Sequence, residues 1–259
     1  MIWEICFLLT VLTLDSQTGN NHSVVVVPTY RASRASGPIQ IDGVFTEFDW
    51  LTAQRIRLVK IRHDPEDRKP LRENTEVAAV WDEQNLYLRF IVQDREMWAT
   101  NQKHDARLWP EECVEIFLDP DGDGRRYIEA QVNWHGNVRD ILVDGSIKNP
   151  TPAQFDEMAR WDFRYLQTAV QVYRTAKGED LGWTLEMAIP WTELSFSRRH
   201  FPPKVGQKIR INFYRVERPH HGPLPVEWSG WNPVPGDLHD PSHFGQFVFS
   251  PAPSSNDFP

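Results

Sequence analysis

The stretch Asn85-Leu86-Tyr87-Leu88-Arg89-Phe90-Ile91-Val92-Gln93-Asp94 decides the fold class. Leu86, Leu88, Phe90 and Val92 fall on one side of an extended chain; Tyr87, Arg89, Ile91 and Gln93 fall on the other. A period of two is that of a strand with one face on a core. Runs of the same kind recur at 75–81, 113–118, 127–134, 138–143, 165–173, 183–189, 208–216 and 244–249, with turn residues between them. This series predicts an all-β chain, an antiparallel β-sandwich of jelly-roll-like outline. Helical signals are confined to short turns at Thr46–Leu51 and Pro190–Leu194. No internal repeat and no second domain boundary interrupts the pattern, so one sandwich domain is expected over residues 37–250.

Composition agrees with a single domain. The chain has 259 residues, of which 40% are hydrophobic and 25% charged, enough to bury a core without disulfide staples. With 28 basic against 36 acidic residues, a net charge of −8 and no basic run, nucleic acid is excluded as a partner. Stable membrane insertion is not expected, because the apolar stretch Ile5–Leu14 is too short to span a bilayer. It has the length of a signal-peptide core instead, and residues 1–23 are read as a leader, with an extracellular or periplasmic location. Glu4, the missing basic residue ahead of the stretch and the missing A-x-A site leave a mis-started or unusual N-terminus as the alternative. With such a leader removed, Cys113 is the sole cysteine and no internal disulfide forms. Residues 251–259, rich in Pro and Ser, read as a disordered tail.

Three constellations bear chemistry. In Asp119-Pro120-Asp121-Gly122-Asp123-Gly124, carboxylates alternate with turn residues, a pattern that brings hard oxygens to one point for a structural calcium ion. The same residues also suit a plain hairpin turn. In Trp109–Phe117, strand alternation puts Cys113, Glu115 and Phe117 on one face and Val114, Ile116 and Leu118 in the opposite layer. Glu115 on so apolar a strand needs hydrogen-bond partners. Gln131 and Asn133 on the next strand extend a polar patch suited to sugar hydroxyls, with a solvated outer face as the alternative. The segment Glu217–His243 reads as a long functional loop offering Trp228 and Trp231. Its His220, His221, His239, Asp240 and His243 match no established zinc spacing. Catalysis has no motif behind it: G-x-S-x-G, H-E-x-x-H and a phosphate-binding glycine loop are all missing. Glu112, Glu115 and Glu227 are carboxylates of the type used in glycoside hydrolysis, but acidic residues are abundant.

Five segments in order carry a resemblance: Glu76–Asp82, Asn85–Leu88, Trp109–Asp119, Gly182–Trp191 and Asp240–Gly245. Together, from about Ile39 to Phe249, the chain resembles a family 9 carbohydrate-binding module. The resemblance implies a secreted, non-catalytic sandwich that binds glucan, xylan or small sugars, with calcium in a structural role, and a monomer is expected. It implies a stacking role for Trp109 and sugar-bonding roles for Glu115 and Asn133, with Gln131 where the family carries Arg and Tyr214 where it carries Gln. The family's second clamping Trp falls at Leu238, so either Trp231 swings in from the same loop or the platform is one-sided. The alternatives are an enzyme acting on O-glycosyl bonds and a sensor or adhesion domain without a sugar site.

Overall fold

A computed structural model describes residues 26–61, 69–147, 150–221, 224–234 and 236–253. The expected leader at 1–23 and the tail from 254 onward lie outside the described residues. Among those described, the strands are β1 (Thr29–Arg34), β2 (Arg55–Arg57), β3 (Val59–Lys60), β4 (Thr75–Trp81), β5 (Asn85–Gln93), β6 (Cys113–Asp119) and β7 (Arg126–Val132). There follow β8 (Val138–Asp144), β9 (Gln167–Arg174), β10 (Asp180–Pro190), β11 (Lys208–Glu217), β12 (Glu227–Gly230) and β13 (Gly245–Ser250). Two short helices, α1 (Phe48–Thr52) and α2 (Pro152–Met158), and 3₁₀ turns at Trp191–Leu194 and Pro241–His243 complete the elements of the described residues. The all-β sandwich is therefore observed.

The strands run in the order β8-β7-β6-β11-β13-β1-β4-β5-β10-β9, a sheet that curls until its two halves face each other. Leu86, Leu88, Phe90 and Val92 of β5 meet Val114, Ile116 and Leu118 of β6 and Ile128, Ala130 and Val132 of β7 in one core. One expectation needs correcting: the sheet is mixed rather than purely antiparallel. β1 runs parallel to both of its neighbours, β13 and β4, and joins the two halves. Its sequence, Thr29-Tyr30-Arg31-Ala32-Ser33-Arg34, buries only Tyr30 and Ala32, too short an alternation to stand out from the polar leader. A second correction concerns 217–243, which is not one structureless loop. β12 lies within it and pairs with β11, placing Trp228 opposite Val216.

Each half also has an outer face. On one, α1 brings Trp50 over β4 and β10, where its indole N–H donates to Glu186 (2.7 Å). On the other, Phe117, Tyr127, Ile141, Val143 and Tyr214 form a smaller apolar cluster beneath Val234, Leu238 and Phe244. α2 packs on β8 beside it. Thr151 begins α2 with a capping box, its hydroxyl receiving the Gln154 N–H while the Gln154 side chain receives the Thr151 N–H. This second outer face carries the site.

Candidate functional site

β6, β7 and β8 form the floor of a cavity of about 620 Å³, with walls from α2, the segment before β6 and the 236–239 segment. Strand alternation explains the lining. Val114, Ile116 and Leu118 point into the core, so Glu115 and Phe117 point out; Glu129, Gln131, Arg139 and Ile141 do the same on the neighbouring strands. Register places Gln131 opposite Glu115, and Glu129 opposite Phe117, so the two glutamates are diagonal neighbours on one face. Trp109, Phe155, Trp228, Leu238 and His239 contribute to the walls.

Buried acid at the floor and aromatic surface at the mouth characterise the cavity. Trp109 is 44% exposed, which is unusual for the largest apolar side chain, whereas Glu115 and Glu129 are 3% and 4% exposed. Glu115 accepts only from the Cys113 thiol (3.9 Å) among the described residues. Burial, and then the facing Glu129, hold Glu115 well above the usual carboxylate range. Glu129 receives the Gln131 amide at 2.7 Å; among the described residues its other oxygen lacks a hydrogen bond and has only the His239 ring, at 3.6 Å. Two carboxyl groups facing a cavity and short of protein partners leave hydrogen-bonding capacity for a ligand rich in hydroxyls. Gln131 links the parts: its carbonyl oxygen accepts from the backbone N–H groups of Leu108 (3.2 Å) and Trp109 (3.3 Å) while its amide holds Glu129. Arg107 anchors the same segment to α2 through Asp156 at 2.9 Å.

Residues 41–251 match the carbohydrate family 9 binding domain-like family. The chain belongs to that family. Endo-1,4-beta-xylanase A of Thermotoga maritima is 26% identical over 219 residues, 83% of this chain but only 17% of that enzyme. A family 9 module from Caldicellulosiruptor kristjanssonii, solved with cellotriose, superposes with a TM-score of 0.61 at 17% identity, covering 89% of this chain and 97% of that one. The same module solved with glucose gives a TM-score of 0.61, also at 17% identity, covering 89% of this chain and 100% of that one.

This family 9 domain gathers Trp109, Glu115 and Gln131 at the cavity and leaves out three other residues singled out from sequence. Asn133 is buried beside it as a turn residue, accepting from the N–H groups of His135 (3.1 Å) and Asn137 (3.0 Å) and donating to the Asn101 carbonyl (3.2 Å). Tyr214 is fully buried with its ring edge on Phe117, centroids 5.2 Å apart, and receives the Asn212 amide at 2.6 Å. Trp231 does not swing into the cavity. It packs against Tyr30, Phe213 and Phe247 in the main core, on the glycine face of Gly245, where any side chain would collide with its ring. The reason is parity: Trp231 lies three residues after Trp228, an odd interval along an extended chain, so the two indoles leave on opposite sides. Trp228 is thus the second tryptophan at the cavity, beside Leu238. The sequence marks Trp228 as an aromatic of the 217–243 segment but not its place at the cavity, and it does not single out Glu129. The i, i+2 relation of Glu129 to Gln131 was the available signal.

In the turn expected to hold calcium, each of the three carboxylates has protein partners. Asp119 accepts from the N–H groups of Gly122 and Gly124 (both 2.8 Å), Asp121 from the Ser197 hydroxyl (2.7 Å), and Asp123 pairs with Arg198.

Proposed function

We propose that this domain binds carbohydrate without transforming it, taking a pyranose into the cavity on β6–β8. Trp109 stacks on the apolar face of the ring, and Trp228 adds a second aromatic wall. Glu115, its carboxyl held neutral by burial, and Glu129 exchange hydrogen bonds with the sugar's hydroxyls, and Gln131 holds both the Trp109 segment and Glu129 in place. The observation that carries this reading is a half-exposed tryptophan beside two buried carboxylates short of donors; membership of a carbohydrate-binding family supports it. Burying one aromatic face contributes roughly 1.5–3 kcal/mol and each net hydrogen bond about 1 kcal/mol. After the entropy of association, affinities on the order of micromolar to millimolar result. The chain spans 17% of the length of the curated xylanase it matches. By analogy, β-linked glucan or xylan fragments are the first ligands to try, in an extracellular setting. Among the described residues no helix is long and apolar enough to cross a membrane. Calorimetry with glucose, cellotriose and xylo-oligosaccharides tests the proposal. Saturable binding that Glu115→Gln weakens is the expected result, and flat titrations throughout favour a domain of the same fold without a sugar site.

A further inference from the structure

Among the described residues, two groups of side chains bring one potential metal-ligand atom from each member to within 4.8 Å of the others: Asp94, Glu112 and Glu217, and His104, Asp105, Asp140 and Asp162. In the first, the place of a cation is taken by the Arg215 guanidinium, which pairs with Asp94 (3.2 Å) and with Glu217. The second has no such occupant. Among the described residues no Lys or Arg side chain pairs with any of its three aspartates, and Asp105 and Asp162 meet only the His104 ring, at 3.7 and 3.1 Å. Asp140 is 1% exposed; one of its oxygens receives the Phe163 N–H, while the other, Oδ1, is buried with no hydrogen-bond partner among the described residues. Asp105 Oδ1 is likewise buried without a hydrogen-bond partner among the described residues. A buried carboxylate oxygen without a donor, among two further carboxylates and an imidazole, is costly unless a cation completes it.

We propose that His104, Asp105, Asp140 and Asp162 bind one divalent transition-metal ion of the zinc type. One imidazole nitrogen and three carboxylate oxygens make four donors of the kind tetrahedral zinc accepts. Ligand atoms at zinc distances lie roughly 3.3 Å apart, between the two His104–carboxylate spacings present here. Calcium calls for six to eight oxygens and gains little from an imidazole. The ion joins three separate segments: the one ahead of Trp109, strand β8, and the turn after α2. The Asp105 N–H donates to the Val138 carbonyl (3.2 Å), and its carbonyl receives the cavity residue Arg139 (2.6 Å), so the ion fixes the base of the loop that leads to the cavity mouth. This site stands apart from the sugar reading and does not depend on it.

Zinc chloride titrated into the chelator-treated full chain is the test, followed by calorimetry and thermal melting. One ion per chain is expected, with a melting temperature that rises with zinc as binding to the native state requires. His104→Ala and Asp140→Asn should each lower zinc affinity at least about tenfold. The His104 side chain is 62% exposed, so His104→Ala keeps the metal-free melting temperature even if Asp140→Asn folds poorly. Absence of saturable 1:1 binding overturns the proposal. So does unchanged zinc affinity in His104→Ala, which would place the ion elsewhere, or calcium occupying these residues in preference to zinc.

Discussion

Trp81 is 3% exposed, and its indole N–H donates to the carbonyls of Ala32 and Ser250, both 3.0 Å away. It ties β4 to β1 and to the end of β13. Trp81→Ala should therefore lower stability by about 3–5 kcal/mol, the usual range for emptying so large a core site. Trp109→Ala removes a side chain that is 44% exposed, so the thermal transition should stay nearly in place while sugar affinity falls. A collapsed transition for Trp109→Ala would remove this residue from the site. Trp228 and Trp231 form a sharper pair. Trp228→Ala should weaken binding by about 0.5–1.5 kcal/mol, the scale of one aromatic contact. Trp231→Ala should leave the affinity of the folded fraction unchanged and lower the melting temperature, because Trp231 packs on Phe213 and Phe247 inside the core. Calorimetry and melting on both variants check the assignment, and the reverse pattern would reverse it.

At the scale of elements, the join between β6 and β11 stores a pH dependence. Burial and then the charges of Asp94 and Glu217 push the Glu112 carboxyl from 4.5 up to about 10, with Arg215 and the Trp98 N–H pulling back less. Burial pushes Glu217 from 4.5 to about 7 against the pull of Arg215. Both groups favour the neutral form when folded. Their contribution to stability is thus complete below about pH 4.5 and is lost as pH rises through the window up to their folded values. Glu112→Gln keeps an acceptor for the Trp98 N–H and removes the ionisation. Its melting temperature should match the parent near pH 4 and exceed it at pH 8, by roughly 2–4 °C if about 1 kcal/mol is recovered. Parallel melting curves across that range would show that the carboxylate ionises without cost.

For the whole molecule, the two cavity carboxylates pose the question of catalysis directly. Glu115 and Glu129 are diagonal neighbours on the floor, and the proposed sugar reading uses them for hydrogen bonds rather than for chemistry. We expect no release of reducing sugar from xylan or aryl glycosides; activity lost in Glu115→Gln would identify an enzyme instead. What the chain by itself determined is the sandwich and one lip of the cavity. Alternation at 85–94 and 113–118 settles which side chains enter the core, because a strand has a period of two wherever it lies. Placing Glu115 and Phe117 on the outer face follows from the same rule, as does the position of Trp109 just ahead of that strand. Only the tertiary structure decided the rest. Burial of Glu129 beside Glu115 depends on the register between β6 and β7, which no single strand encodes. The choice of Trp228 over Trp231 depends on β12 pairing with β11, a four-residue strand inside a Pro-rich segment that gives no periodic signal. The convergence of His104, Asp105, Asp140 and Asp162 depends on three segments far apart in the chain meeting at one point. Local patterning sets the face a residue occupies, whereas its neighbours on that face are set by long-range pairing.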